Sequence, residues 1–295
     1  DLSGTLPEET EFARLNLDYS IMSKRKIKIL IEEGIIDGWD DPRLPTISGL
    51  RRRGYTPDSI KNFCEKVGVT KRESLISHLL LEGCLREDLN KKARRIMGVM
   101  DPIKLTIKNW PTDIVETLEI ENNPEDPSMG FRSVLFGGSL WIESEDFKKE
   151  ANSKFHRLKL GSEVRLKGAY IVKAVDCIEI DGKITEVICE YDPSTKSGDS
   201  DRKVKGTIHW VHKDSAVFRR VRDYDILFDH PNPDGNGKDF LNHLNKESIS
   251  EKVGIFESEI LNIGIGDTVQ MIRKGYYCLD SDNTFNRSVS LKEGF

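Results

Sequence analysis

At Pro102 the hydrophobic period of the chain changes from that of a helix to that of a strand, and this switch limits the fold more than any other feature. Beyond it, Ile103, Leu105 and Ile107 alternate with Lys104, Thr106 and Lys108, the period of two that turns one face of a strand inward. Before it, apolar residues recur at helical spacing. Thr56-Pro57 sets a capping hydroxyl before a proline at the first helical position; Ile60, Phe63, Cys64 and Val67 then share a face, and Gly68 ends the run. Thr46 is expected to cap a short helix ended by Gly54, and Ser23–Glu33 to form an amphipathic helix ended by Gly34. Thr70 and Glu73 have capping-box spacing, which predicts a long helix from there through Leu75, Leu79, Cys84, Leu85 and Leu89.

Strand-like runs follow at 114–120, 134–142, 163–180, 184–191, 204–212, 268–279 and 285–291, with loops expected at 122–130 and 231–238. Asp181-Gly182 marks a hairpin. A three-residue loop, Asp181-Gly182-Lys183, sorts Val175, Cys177, Val187 and Cys189 onto one apolar face and makes the two cysteines diagonal neighbours. Many short strands between Gly, Pro and Asn turns point to closed β-barrels. The fold class expected is therefore multi-domain α+β: an N-terminal all-helical subdomain followed by two all-β barrels. A length of 295 residues fits this, because single cores stop growing at roughly 250–300 residues.

Composition excludes several classes. No run approaches the ~20 apolar residues that a membrane-spanning helix needs, and periodic apolar residues throughout argue against disorder. The five cysteines are odd in number and form no C-x-x-C pair, which argues for a reducing, cytoplasmic setting and against a structural zinc site. The net charge of −5 hides basic blocks at 86–95, 148–173 and 202–222. Such blocks can track a phosphate backbone, but on charge alone the favoured reading is solvated surface.

Two strings carry chemistry. Met22-Ser23-Lys24-Arg25-Lys26 resembles a mobile loop whose lysine neutralises charge on triphosphate oxygens. The longer string Gly38-Trp39-Asp40-Asp41-Pro42-Arg43-Leu44-Pro45-Thr46-Ile47-Ser48-Gly49-Leu50-Arg51-Arg52-Arg53-Gly54-Tyr55-Thr56-Pro57 is far more specific. Together they resemble the glutaminyl-tRNA synthetase family of class I aminoacyl-tRNA synthetases. The resemblance continues through Cys84 to Asn90, Asp101-Pro102, Arg202 to Gly206, Ile208-His209-Trp210-Val211, Pro231-Asn232-Pro233, Gly275 to Asp280 and Phe285-Asn286-Arg287. None of the six histidines stands in the His-x-Gly-His motif with which the family holds ATP, and the chain opens on Asp1. The expectation is a C-terminal portion lacking the Rossmann-type catalytic domain.

The resemblance implies a division into a signature-loop helical subdomain (1–97), a proximal barrel (98–115 with 203–295) and a distal barrel (116–202). It implies that Met22, Ser23 and Lys24 face ATP phosphates in the parent enzyme, with Lys24 the catalytic group. It implies anticodon contacts by Arg95, Arg157, Arg165, Lys167, Gln270 and Arg273, with Arg157 reading the third base, a guanine, and Gln270 and Arg273 the middle one. Lys167 stands where the family has Arg, so a planar bidentate contact is lost there. Lys154 and His156, also expected among the anticodon contacts, depart from the family beside the third-base pocket, and Glu125 falls near the position of a family Asn. His209 and Trp210 read as packing residues, and Arg51, Arg52 and Arg53 either touch tRNA or pair with Asp40, Asp41 or Asp58.

The parent is then expected to ligate glutamine to its tRNA through an ATP-derived adenylate with Mg2+. This stretch alone is expected to be inactive, to hold no tightly bound cofactor or resident metal, and to be a cytoplasmic monomer. Its partners are the tRNA for glutamine and the missing N-terminal catalytic domain in cis, with no membrane. The alternatives are a non-discriminating glutamyl-tRNA synthetase fragment and a stand-alone non-catalytic tRNA-binding protein.

Overall fold

The computed structural model describes residues 9–235 and 239–292, so the end of the expected 231–238 loop lies outside the described residues. The chain divides into two compact units. One holds the residues up to Asp88 with Tyr224–Ser250; the other holds Leu89–Asp223 with Glu251–Leu291.

Helices of the first unit begin where local chemistry dictates. Helix Pro57–Val67 is capped by Thr56, whose Oγ1 accepts the Ser59 N–H at 3.1 Å. Helix Ile47–Arg53 is capped by Thr46 and ended by Gly54 at φ 98°, a left-handed conformation that glycine adopts without strain. Helix Lys24–Glu32 starts at Ser23, and its Ile27 and Leu30 enter a core with Ile21, Leu44, Phe228 and Phe240.

The all-helical expectation fails in one place. Ser74–Ile76 is a strand lying parallel to Leu15–Leu17, and the long helix starts only at His78. Thr70 Oγ1 instead accepts the Arg72 N–H in a turn. The helix start is capped from two sides: Ser77 Oγ accepts the Leu79 N–H at 3.3 Å, and the Asp18 carboxylate accepts the His78 N–H at 2.7 Å from sixty residues away. A capping box competes with any other acceptor for the same orphan N–H groups, and here strand pairing took the backbone first.

The second unit contains two seven-stranded sheets. The first runs, in spatial order, Thr207–Ile208, Glu163–Leu166, Ile171–Ile180, Lys183–Asp192, Pro102–Ile107, Ser139–Glu143, Val211–His212. The second runs Arg94–Ile96, Thr268–Met271, Gly275–Leu279, Thr284–Ser290, Val217–Tyr224, Ile249–Phe256, Gly98–Val99. In each sheet the two edge strands are consecutive in the chain, joined through His209-Trp210 in one and Met97 in the other. A strand that bends from one edge to the other leaves little unpaired edge, the arrangement of a sheet curled toward a barrel. Residues 98–115 divide between the sheets: Gly98–Val99 pairs with Ile255-Phe256, while Pro102–Ile107 pairs with Ser139–Glu143 and Lys183–Asp192. Residues 207–212 likewise join the first sheet.

The strand alternation at Pro102 holds, with Ile103, Leu105 and Ile107 buried. The hairpin loop is two residues, not three. Ile180 faces Lys183, and Asp181 and Gly182 both take positive φ, the two-residue turn whose twist matches the strands. Bulges at Ala174/Asp176 and Ile178/Glu179 absorb the difference; they leave Val175 half-exposed while Val187 and Cys189 stay buried. Cys177 faces Val187 and Cys189 faces Ala174, so the two cysteines are diagonal and, like the other three, free. Strand Val217–Tyr224 escaped the sequence reading because charged residues fill half of it, and Ile249–Phe256 because its apolar residues do not alternate, with Glu251-Lys252 and Gly254 between them.

Candidate nucleic-acid interface

Arg95 and Gln270 are directly opposed on adjacent parallel strands, and Gln270 is directly opposed to Tyr276 on its other side. The row Arg95–Gln270–Tyr276 therefore crosses three strands on one face. Their strand neighbours Ile96, Val269 and Met271 fill the core of the second sheet, so the period of two turns the polar row away from it. Asn90, near the end of helix His78–Lys92, joins them. Its Oδ1 accepts the Tyr276 hydroxyl at 3.3 Å and an Arg95 N–H at 3.4 Å, and the Tyr276 oxygen accepts Gln270 Nε2–H at 2.8 Å. Arg95 Nε is buried without a partner, and Glu125 Oε1 lies 4.0 Å from the same guanidinium. Burial lowers the pKa of Lys167 from the ordinary lysine range; Glu121 opposes this, and Arg132 and Arg95 add to it as neighbouring cations. Arg95 and Gln270 thus form one group, and Lys167 feels the charge of Arg95.

Arg157 and Arg273 form another, joined by a carboxylate. Arg273 donates both terminal nitrogens to Asp146 at 2.6 Å each, and Arg157 Nε stands 3.3 Å from the same side chain. Arg157 also donates to the Glu145 carbonyl and pairs with its carboxylate, both at 3.1 Å. Asp146 is 0% exposed, whereas the Arg157 side chain keeps 35%. Arg273 sits at φ 68° in the loop between Met271 and Gly275, a left-handed backbone that a non-glycine residue rarely adopts. The bidentate bond to Asp146 holds it there. Lys154 and His156 are exposed in the irregular segment leading to Arg157.

Arg165 stands apart. It donates to the carbonyls of Ala169, Thr195 and Arg202 and to the Ser197 hydroxyl, which commits its guanidinium to fastening the loop around 195–202. Trp210 and His209 are buried, and the Trp210 indole donates to the Lys167 carbonyl. Arg52 pairs with Asp40 at 3.4 Å and Arg53 donates to the Tyr224 carbonyl at 3.4 Å.

Sequence reasoning missed the carboxylates that organise these cations. Glu143, at the end of Ser139–Glu143, accepts the N–H groups of Met100 and Asp101, the link between the two sheets, and pairs with Lys274 at 3.1 Å. His209 Nε2 stands 3.7 Å away, an ion-pair rather than a hydrogen-bond distance. Burial works to raise Glu143, but His209, Lys274 and the Met100 N–H overcome it and hold the pKa down at about 2. The stability from its ionisation is complete above the unfolded value of 4.5 and is lost as pH falls toward 2. Unfolding free energies from urea titrations measured downward from neutral pH should fall through that window by on the order of 3 kcal/mol more than in Glu143→Gln. Parallel curves for the two proteins would remove Glu143 from the acid response.

The signature segment lies in the first unit. Ser23 occupies the helix N-cap with its hydroxyl unused as a cap; Met22, Lys24 and Arg25 are exposed. The first turn contains no acidic residue, only Lys24, Arg25 and Lys26. Cations at the positive end of a helix are unfavourable by themselves and favourable beside an anion. Lys26 is drawn away by an ion pair to Asp234 and by the Phe240 ring. A polar cleft of about 340 Å³ opens beside Met22 and Ser23, lined also by Arg14, Asn16, Ser20 and Asn232.

Three sequence profiles of one family match the chain. Residues 5–91 match the catalytic domain of class I tRNA synthetases (E and Q), and residues 93–192 and 207–280 match two anti-codon binding domains of the same class. A glutamine–tRNA ligase of Rhodopirellula baltica is 50% identical over 97% of this chain and 49% of its own length. Glutamine–tRNA ligases of Vibrio cholerae and Citrobacter koseri are each 48% identical, over 98% and 97% of the chain and 53% of their own lengths. The chain spans about half the length of the relatives it matches.

Proposed function

The chain belongs to the class I tRNA synthetases of the E and Q type, and on that premise we propose that it is the signature-loop and anticodon-reading portion of an enzyme that ligates glutamine to its tRNA. The two sheets act as the proximal and distal barrels, and the helical unit presents the signature loop. The observation that carries the reading is the meeting of Arg95 with Gln270, and of Arg157 with Arg273, from segments more than a hundred residues apart. Reading unstacked bases requires fixed planar cations and amides; Arg95, Arg157 and Arg273 supply the cations and Gln270 the amide. The match of residues 5–91 to a catalytic domain weighs against a stand-alone RNA-binding module.

ATP is a substrate of that reaction, and Mg2+ accompanies its phosphates. Ser23, Lys24 and Arg25 fit an anion: an unused N-cap hydroxyl, two exposed cations and the free N–H groups of a first turn. In the parent enzyme Lys24 would neutralise charge developing on phosphate oxygens, and Met22 would line the approach. Ser23, Lys24 and Arg25 offer Mg2+ no carboxylate, although Glu73 and Asp234 line the same cleft.

The test is Arg157. It is half-exposed and held by two carboxylates, so it can exchange the Glu145 contact for a guanine edge without leaving Asp146. Arg157→Ala should weaken binding of a glutamine anticodon stem-loop by ~1–3 kcal/mol and erase the preference for guanine at the third anticodon position. An equal loss for all four bases there would reduce Arg157 to a phosphate contact.

A further inference from the structure

We propose that Glu145 is a specificity-determining residue that shields Arg157 from phosphate, so that the guanidinium serves an uncharged base edge and not the RNA backbone; this deepens, and rests on, the reading that Arg157 meets an anticodon base. The N–H groups of the Arg157 guanidinium are used unequally. Nε stands 3.3 Å from Asp146, and Nη1 donates to the Glu145 carbonyl and pairs with Glu145 Oε2, both at 3.1 Å. Among the described residues Nη2 has no hydrogen-bond or ion-pair partner, and the side chain keeps 35% of its exposure. Arg157 thus offers open donors whose charge is already matched by two carboxylates.

Charge separates the two kinds of ligand that such donors can take. A phosphate oxygen and a guanine edge both accept N–H groups, but the phosphate brings a full negative charge, whereas the guanine acceptors are an uncharged carbonyl and ring nitrogen. A phosphate at Nη2 meets the Glu145 carboxylate paired with the next nitrogen of the same guanidinium; a base meets no such repulsion. Glu145 is also kept from leaving. Lys274 Nζ holds its other oxygen at 3.0 Å, and the same ammonium pairs at 3.1 Å with Glu143, which is 1% exposed. A carboxylate displaced from Arg157 therefore stays in the cluster. Burial works to raise the Glu145 pKa, but Lys274 and Arg157 hold it below the ordinary carboxylate value, so the group is charged at neutral pH. His209 apart, the cluster of Arg157, Arg273 and Lys274 with Glu143, Glu145 and Asp146 carries three charges of each sign. A site balanced in this way selects by hydrogen-bond pattern more than by charge.

The experiment titrates the full chain with four anticodon stem-loop RNAs that differ only at the third anticodon base, over a range of salt concentrations. Glu145→Gln removes the charge and keeps the size. It should tighten binding of the RNAs that lack guanine there and shrink the guanine preference about tenfold. The slope of log affinity against log salt should steepen by ~0.7, the value of one further phosphate contact on a single strand. Adding Arg157→Ala to Glu145→Gln should return the slope to its wild-type value, which a mere loss of packing would not do. An unchanged slope or an unchanged guanine preference in Glu145→Gln overturns the shielding role, while Arg157 keeps its base contact if Arg157→Ala alone abolishes the preference. A wild-type chain that binds the four RNAs alike overturns the base contact, and the shielding role with it.

Discussion

Replacing Glu257 with alanine is expected to lower stability by about 3–5 kcal/mol, read as a shift in urea midpoint. Glu257 and Arg132 are 2% and 3% exposed and meet at 2.7 Å. The same carboxylate accepts the Met97 N–H at 3.1 Å, in the link that joins the two edges of the second sheet. Arg132 also donates to the Glu121 carbonyl at 2.8 Å and so ties in the hairpin Glu116–Glu121/Phe131–Phe136. Burial raises the pKa of Glu257, and Arg132 and the Met97 N–H pull against that rise. Alanine there strands a guanidinium in low dielectric beside an unsatisfied amide. Arg132→Met should be comparably harmful, for the converse reason. Joined with Glu257→Leu it should restore part of the loss, because two packed apolar groups carry no charge-desolvation penalty while the Met97 N–H stays without its acceptor. Additive losses in the double variant would mean that the two side chains act independently.

Asp146→Ala should combine a structural and a functional loss. Among the described residues Asp146 is the carboxylate that holds both Arg157 and Arg273, and its bidentate bond helps to offset the left-handed backbone of Arg273. Both arginines keep some access to water, so the expected destabilisation is smaller than at Glu257, about 2–3 kcal/mol. Binding should change in kind. Two released guanidiniums and one fewer negative charge should steepen the salt dependence of RNA binding, while discrimination among anticodon variants falls about tenfold. Titrations of anticodon stem-loops across a range of salt concentrations check this. Unchanged discrimination with lowered stability would assign Asp146 to architecture only.

Legibility in the sequence followed range. Thr46, Thr56, Gly54 and Gly68 announced two helices because a cap is a contract between residues three or four apart. The start at His78 was only half legible: Ser77 caps it locally through the Leu79 N–H, but Asp18, which takes the His78 N–H, comes from sixty residues away. Asp181-Gly182 announced the hairpin, but the loop length depended on bulges that only cross-strand packing imposes. Of the candidate site, Arg95, Arg157, Gln270 and the rest came from resemblance to a family, not from spacing. Asn90 and Tyr276 lay inside the same motif strings and went unremarked, since nothing in a linear string says that they meet. Lys167 and Arg165 are both basic and two residues apart, yet one is half-buried near other cations and the other is bonded to a loop.

What the chain determined by itself is local: the change from helical to strand period at Pro102, the capped helix starts and the two-residue turn. These arise from backbone sterics and near-neighbour hydrogen bonds, which act whatever the rest of the protein does. The tertiary structure alone decided which carboxylate serves which cation, as in Arg132 with Glu257 and Arg273 with Asp146, 125 and 127 residues apart. Charge attraction has no preferred sequence distance. Strand order and register bring such groups together, and burial then makes the chosen pairing strong enough to matter.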